Sequence, residues 1–141
     1  MYKIQPEYLM TTYFEKLKAL QKHAYAPYSN YQVASILVTE SGDEYSGVNV
    51  ENASFGGTIC AERSAFVSAI SQVGQDKYRA LHLMAGNSLS FATPCGICRQ
   101  VISELVDSGF EIIVYNSTGE TETYRIDDLL PHAFSKLQLG G

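Results

Sequence analysis

The sequence has three cysteines, and two of them are separated by only two residues. Cys95 and Cys98 directly follow Pro94, at a spacing that lets two thiolates at the start of a helix hold one metal ion. Cys60 would supply the third ligand, and no fourth cysteine exists to close the site. Three protein ligands around zinc leave one position open for water, which is typical of a catalytic site and not of a structural one. The sequence therefore predicts one Zn²⁺ per chain, held by these three cysteines.

Glu62 lies two residues after Cys60, where it could move protons for the water at the open position without ligating the metal. On its own, Glu62 would be interpreted as a residue of a first helical turn that stabilises the helix dipole. A lone Cys-x-x-Cys pair would also fit a redox pair or half of a zinc finger. The combination of Cys-x-Glu with a later Pro-Cys-x-x-Cys is much more specific, because it is the pattern of zinc deaminases that act on nucleobases.

Length and composition favour a single soluble domain over residues 1–141. The formal net charge is −5 and the basic residues are scattered, which argues against nucleic acid and favours a small-molecule partner. Three cysteines do not suit a disulfide framework, and thiolates free to bind a metal imply a reducing compartment. Because the N-terminus lacks the apolar core of a signal peptide and no segment approaches transmembrane length, we predict a cytoplasmic protein without a membrane partner.

The hydrophobic pattern predicts alternating helices and strands. Apolar residues at three- and four-residue steps predict an amphipathic helix over 6–23, and a hairpin of strands 31–39 and 44–51 follows. The remaining predicted elements are a helix over 60–71, a strand over 80–86, a helix over 95–107 and strands over 110–116 and 121–126. This order indicates an α/β fold, a three-layer sandwich with a mixed five-stranded sheet and helices on both faces. Both cysteine stretches would begin helices, whose positive N-terminal ends favour thiolate over thiol.

Five stretches together resemble small homotetrameric cytidine deaminases of the three-cysteine zinc type. They are YAPYSNY (25–31), GVNVENAS (47–54), CAER (60–63), PCGICRQ (94–100) and LLPHAF (129–134). The resemblance implies hydrolytic deamination of cytidine and deoxycytidine to the uridines, with release of ammonia, in pyrimidine salvage. Zinc lowers the pKa of bound water to about 7, so that hydroxide would attack C4 of the pyrimidine. Glu62 would take the water proton, protonate N3 and help ammonia leave.

The same resemblance assigns binding roles to several residues. It implies that Asn49 and Glu51 hold the ribose 3′-hydroxyl, and alternation along a strand would place both side chains on one face. Tyr31 stands where the family usually has a Phe that packs on the base, and Ala61 also belongs to the substrate site. The stretch 33–36 reads Val-Ala-Ser-Ile in place of the common Val-Gly-Ala-Ala, and the larger Ile36 suggests a differently packed strand.

Arg63 would act on the metal from outside its ligand shell. Three thiolates and a divalent ion sum to +2 − 3 = −1, which weakens the ability of the metal to acidify water. In the resembling family an arginine at this position donates to a ligand sulfur and offsets that charge. The alternative for Arg63 is a solvated helix residue in a salt bridge. The resemblance further implies that Phe55 and Phe134 reach the site of a neighbouring subunit, the alternative being plain core packing.

Two other functions fit parts of the pattern. Deaminases of blasticidin-type antibiotic nucleosides share the Cys-Ala-Glu and Pro-Cys-x-x-Cys stretches but lack the Asn-x-Glu sugar reader, so Glu51 favours the ordinary nucleoside. A zinc-binding module without catalysis would need a fourth ligand from outside these stretches, and it would leave Glu62 without a role. An enzyme that edits nucleic acid is disfavoured by the acidic net charge and the short chain.

Overall fold

The computed structural model describes residues 12–140. Five strands within this range form one sheet in the order β2-β1-β3-β4-β5. The strands are β1 (Val33–Thr39), β2 (Glu44–Val48), β3 (Tyr78–Ala85), β4 (Glu111–Tyr115) and β5 (Thr121–Tyr124). The helices are α1 (Tyr13–Gln21), α2 (Ala61–Val73), α3 (Gly96–Leu105) and the short α4 (Ile126–Leu129), with 3-10 turns at Phe55–Gly57 and Lys136–Leu139. None of the helices within residues 12–140 has the length and apolar character needed to cross a bilayer.

The sheet is mixed, as the sequence predicted. β3 and β4 are parallel and are connected through α3, whereas the pairs β1–β2, β1–β3 and β4–β5 are antiparallel. A parallel pair requires a crossover connection of this kind, and in this chain the crossover carries the Cys-x-x-Cys stretch at its start. β2 and β3 both flank β1, and the connection between them contains α2. The two helices that follow cysteine stretches are therefore both crossovers of the same sheet.

Apolar side chains cover both faces of the sheet. One face packs against α2 and α3 through residues that include Leu37, Phe66, Leu81, Leu83 and Ile102. The other face packs against α1 around Leu17, with Ala34, Ile36, Val38 and Met84. Residues of β1 alternate between the two faces because side chains along a strand point to opposite sides. The three-layer arrangement with helices on both faces is confirmed, and Ile36 belongs to the α1 face.

Several predicted boundaries were wrong by a few residues. The helix predicted over 6–23 spans Tyr13–Gln21 and is capped by Thr12, and the predicted residues 6–11 lie outside the described part of the chain. The second strand ends at Val48 instead of residue 51. Beyond Val48, the side-chain oxygen of Asn49 accepts the hydrogen bond from the backbone N–H of Val33 in β1, in place of a backbone carbonyl of β2. Within residues 12–140, Val50 forms isolated bridges to Tyr25 and Ile59. The last predicted strand ends at Tyr124, because Ile126 already begins α4.

Candidate active site

The three cysteines lie together although they are far apart in sequence. Cys60 immediately precedes α2, Cys95 immediately precedes α3, and Cys98 lies in the first turn of α3. Their Sγ atoms all lie within 4.8 Å of one another, and those of Cys60 and Cys95 are 3.8 Å apart. Two thiolates on a tetrahedral zinc with Zn–S bonds of about 2.3 Å would be separated by about 3.8 Å, whereas a disulfide needs about 2.05 Å. All three cysteines are free, and their geometry fits zinc.

Charge around the sulfurs favours metal binding. The pKa of Cys60 is lowered to about 5, first by a hydrogen bond from Cys98 and further by the neighbouring Arg63 guanidinium. The pKa of Cys98 is raised, because this buried thiol keeps the proton that it shares with Cys60. Arg63 Nη2 lies 3.4 Å from Cys60 Sγ and 3.5 Å from the Thr58 carbonyl oxygen. Cys60 is therefore the more readily deprotonated of the two cysteines, and zinc binding would displace the proton of Cys98.

Glu62 lies beside the cysteines in a cavity of about 280 Å³. Its side chain belongs to the first turn of α2 and is only 5% exposed. Burial raises the pKa of Glu62 to about 7, with a further contribution from the nearby Cys60 thiolate. A carboxyl group that titrates near neutral pH is suited to accept and return protons in one reaction cycle. The cavity is lined by Tyr31, Val33, Asn49, Thr58, Cys60, Ala61, Glu62, Leu83, Ala85, Ala92, Thr93 and Cys95.

Contacts from the sheet and the C-terminal segment hold the cysteine stretches in place. Buried Ser35 donates a hydrogen bond of 2.8 Å from Oγ to the carbonyl oxygen of Ala61, in the first turn of α2. Arg99 donates to the Pro94 carbonyl at 2.7 Å, to Thr93 Oγ1 at 2.8 Å and to the Leu129 carbonyl at 2.8 Å. Neither Ser35 nor Arg99 was predicted from the sequence to support the site. Arg99 could have been suspected from its place directly after Cys98, whereas the contact of Ser35 depends on strand register.

Comparison with known proteins agrees with this site. Residues 8–115 match the sequence model of the family described as the cytidine and deoxycytidylate deaminase zinc-binding region. The chain belongs to this deaminase family. A cytidine deaminase of Sporosarcina psychrophila is 39% identical over 122 residues, which cover 86% of this chain and 88% of that protein. A probable cytidine deaminase of Dictyostelium discoideum is 38% identical over 119 residues, which cover 84% of this chain and 79% of that protein.

Solved structures of the deaminase family share the fold. The cytidine deaminase of Burkholderia pseudomallei superposes with a TM-score of 0.79 at 38% identity, covering 93% of this chain and all (100%) of that chain. The cytidine deaminase of Mycobacterium tuberculosis superposes with a TM-score of 0.69 at 32% identity, covering 87% of this chain and 98% of that chain. The resemblance that the sequence motifs indicated is confirmed, together with the deaminase fold.

Asn49 lies on the wall of the deaminase cavity, 7% exposed. Its Nδ2 donates to the Tyr31 carbonyl at 2.8 Å, and its Oδ1 accepts from the Val33 backbone N–H at 2.9 Å. These two bonds fix which end of the amide is the donor. One N–H and one oxygen lone pair remain, so Asn49 can still contact a ligand while it holds the start of β1.

Glu51 does not line the cavity that contains Glu62. It lies in a neighbouring depression with Tyr28, Ser29, Asn52, Phe55 and Thr58, and Thr58 lines both. Its carboxylate accepts hydrogen bonds from the backbone N–H groups of Tyr28 and Ser29 at 3.0 and 3.1 Å, and from the Ser29 hydroxyl. The pKa of Glu51 is lowered, mainly by the Ser29 hydroxyl. The expectation that Asn49 and Glu51 share one strand face was wrong, because β2 ends before both.

The three predicted aromatic residues have different surroundings. Tyr31 lines the cavity and is 47% exposed, and its pKa is raised by burial and by the nearby Glu62. Gly86 makes room for its ring, since a Cβ there would lie 2.4 Å from Tyr31 Cε2. Phe55 and Phe134 are 76% and 57% exposed, and neither lines the cavity of Glu62. Both are therefore surface residues in the single chain, not core residues.

Proposed function

We propose that this protein catalyses the hydrolytic deamination of cytidine and deoxycytidine to uridine and deoxyuridine, with release of ammonia. The observation that carries the proposal is the burial of Glu62 in one cavity with Cys60 and Cys95. The names of the relatives support the substrate class, since the similar proteins from Sporosarcina psychrophila and Burkholderia pseudomallei are cytidine deaminases. A zinc site that served only stability would not need a buried carboxyl group beside its ligands.

Cys60, Cys95 and Cys98 would hold the zinc ion. Bound in this way, zinc supplies Lewis acidity that lowers the pKa of water to about 7. Glu62 accepts a proton from the attacking water and delivers it to N3 of the pyrimidine. It then takes the second proton, from the hydroxyl now on C4, and delivers it to the amino group, so that ammonia leaves and the C4 carbonyl forms. Burial raises the pKa of Glu62, which favours proton uptake by a carboxyl group that must also release protons in the same cycle. Arg63 donates to the Cys60 sulfur and disperses the negative charge of the thiolates.

The substrate would lie between the two walls of the cavity. The Tyr31 ring packs against the base, and the first turn of α2 around Ala61 forms the floor of the base site. The free N–H and lone pair of Asn49, with the carboxylate of Glu51, bind the 3′-hydroxyl of the sugar. Thr58 lines both the cavity of Glu62 and the depression of Glu51, so a nucleoside could extend from one into the other.

The experiment is a turnover assay on protein of measured zinc content, following the absorbance of cytidine and the release of ammonia. Deoxycytidine and blasticidin S are assayed in parallel. Turnover of both plain nucleosides is the expected result. Turnover of blasticidin S alone would support zinc-dependent deamination but contradict the proposed substrates. The absence of turnover in protein with one zinc per chain would favour the non-catalytic zinc module.

The quaternary structure is part of the same proposal. We propose a homotetramer, cytoplasmic and acting in pyrimidine salvage, in which Phe55 and Phe134 extend into the site of a neighbouring subunit. The exposure of both rings in the single chain supports this assignment, because large exposed aromatic side chains often mark protein interfaces. Light scattering tests the oligomeric state. Unchanged mass and kinetics in Phe134→Ala would overturn the role of Phe134.

A further inference from the structure

Ser29 contacts both Glu51 and Tyr31. Its hydroxyl donates to Glu51 Oε2 and accepts from the Tyr31 backbone N–H at 3.0 Å. Its own backbone N–H donates to Glu51 Oε1 at 3.1 Å. Both oxygens of the Glu51 carboxylate are therefore held by one residue of the loop that leads into Tyr31.

The local backbone makes this double contact possible. Asn30 has a φ of +56°, in the left-handed region that Asn tolerates better than most residues. Its N–H donates to the Ala26 carbonyl at 3.0 Å, which closes the loop into a turn. The chain thereby reverses directly after Ser29, and the N–H of Tyr31 returns to the Ser29 hydroxyl. The orientation of that hydroxyl is fixed, because it has a single proton and gives it to Glu51.

The consequence for Glu51 is a carboxylate with one defined position. Glu51 is only partly buried, and a free glutamate side chain on a surface samples several rotamers. Two backbone N–H groups hold Oε1, whereas among residues 12–140 the Ser29 hydroxyl alone donates to Oε2. A carboxylate offers about four lone-pair sites, so after these three bonds one direction remains for a ligand hydroxyl. Ser29 selects that direction.

We propose that Ser29 is a positioning residue for recognition of the sugar. It sets the free acceptor site of Glu51 toward the 3′-hydroxyl, and it links that site to the backbone that carries the Tyr31 ring. The inference rests on the proposed function, because it presupposes a nucleoside substrate. It assigns the discrimination between nucleosides with and without a 3′-hydroxyl to a residue that does not itself contact the base. Loss of the Ser29 hydroxyl then reduces sugar discrimination and leaves the chemical step intact.

The test compares kcat/KM for cytidine and for 3′-deoxycytidine in each variant. The ratio of the two values does not depend on the fraction of folded or zinc-loaded enzyme, because both substrates are measured on the same preparation. Ser29→Ala is expected to reduce this ratio about tenfold, through KM, which is the size expected for a hydrogen bond to a charged group. Ser29→Thr, which keeps the hydroxyl, is expected to restore most of the ratio. In Glu51→Gln the ratio is expected to be low whether or not Ser29 is also replaced.

The controls separate this inference from the proposed function. Ser41→Ala changes a hydroxyl in the turn between β1 and β2 and is expected to leave the ratio unchanged. Equal losses for both substrates in Ser29→Ala, with the wild-type ratio retained, would overturn the role of Ser29 while cytidine deamination stands. A wild-type protein that deaminates neither nucleoside would overturn the proposed function and this inference with it.

Discussion

Gly47 lies directly against Ala61, so closely that a Cβ on Gly47 would be 2.2 Å from the Ala61 carbonyl oxygen and 2.4 Å from the Ala65 nitrogen. Opposite Gly47 in the sheet, Ser35 donates its hydrogen bond to the same carbonyl. The first turn of α2 is thus placed by a glycine and a serine on adjacent strands. Because Cys60 and Glu62 flank Ala61, this contact sets the position of a metal ligand and of the proposed general base.

Gly47→Ala is expected to destabilise the protein by about 3 kcal/mol, because the new methyl group would overlap backbone atoms that cannot rotate away. Zinc content should fall in parallel, since relief of the overlap moves the start of α2. Denaturant unfolding and metal analysis measure the two effects. Gly56→Ala is the control, because a Cβ there would have no heavy atom of the described residues within 4 Å, apart from those of its own local backbone and chain neighbours. A Gly47→Ala protein of wild-type stability would contradict the close packing.

Glu62→Gln is expected to retain one zinc per chain and to lower kcat by between about 10²- and 10⁴-fold, the range for loss of a general acid–base group. The amide has nearly the same shape but cannot accept and return a proton. Steady-state kinetics and metal analysis on the same sample measure both quantities. Glu104→Gln, an exposed substitution on α3, should have wild-type values. Full turnover in Glu62→Gln would exclude the proposed proton transfers.

Arg63→Gln is expected to weaken zinc binding by about 10- to 100-fold, the usual effect of replacing a residue that supports a metal ligand. Its guanidinium helps to keep Cys60 as a thiolate, and the amide does not carry that charge. Competition with a chelator of known affinity measures the change. Arg79→Gln removes an exposed arginine from β3 and should leave the affinity unchanged. If Arg63→Gln also leaves the affinity unchanged, the contact between Arg63 and Cys60 does not support metal binding.

His82 should make stability depend on pH. Its ring stacks on Tyr13 at 3.7 Å, and its Nδ1 is 2.8 Å from the Tyr115 hydroxyl. Burial lowers the pKa of His82 to about 4, with Arg79 and Lys16 acting in the same direction and Glu44 opposing them. The unfolded chain, with an ordinary histidine pKa near 6.5, therefore binds more protons between about pH 6.5 and 4. The contribution of neutral His82 to the free energy of unfolding is therefore fully present above pH 6.5 and is lost as the pH falls toward 4.

The measurement for His82 is the free energy of unfolding from pH 8 to pH 5, in wild type and in His82→Gln. Uptake of one additional proton by the unfolded chain changes the free energy of unfolding by at most about 1.4 kcal/mol per pH unit. Other titrating groups are common to both proteins, so the difference between the two curves isolates His82. We expect the wild type to lose more stability than the variant between pH 6.5 and 5. Parallel curves would contradict a neutral, buried His82.

Much of the fold followed from local patterns. Helix and strand periods predicted the order of the elements described in residues 12–140 and the mixed sheet, because burial of one face repeats every 3.6 or every 2 residues. The strand over 44–51 was predicted too long, because Asn49, Val50 and Glu51 keep a strand-like sequence after the ladder has ended. There the side chain of Asn49 bonds to the backbone of β1, and a side-chain contact of this kind has no periodic signal.

By itself, the sequence determined which residues could bind zinc and which could move protons, because the Cys-x-Glu and Pro-Cys-x-x-Cys stretches are local and chemically distinctive. Tertiary structure alone decided that Ser35 and Gly47 support the first turn of α2, and that Glu51 lies beside Ser29 in a depression separate from Glu62. These relationships depend on strand register and on loop conformation. Both are set by contacts between residues distant in the chain, and for these contacts the spacing of residue types along the sequence carries no information.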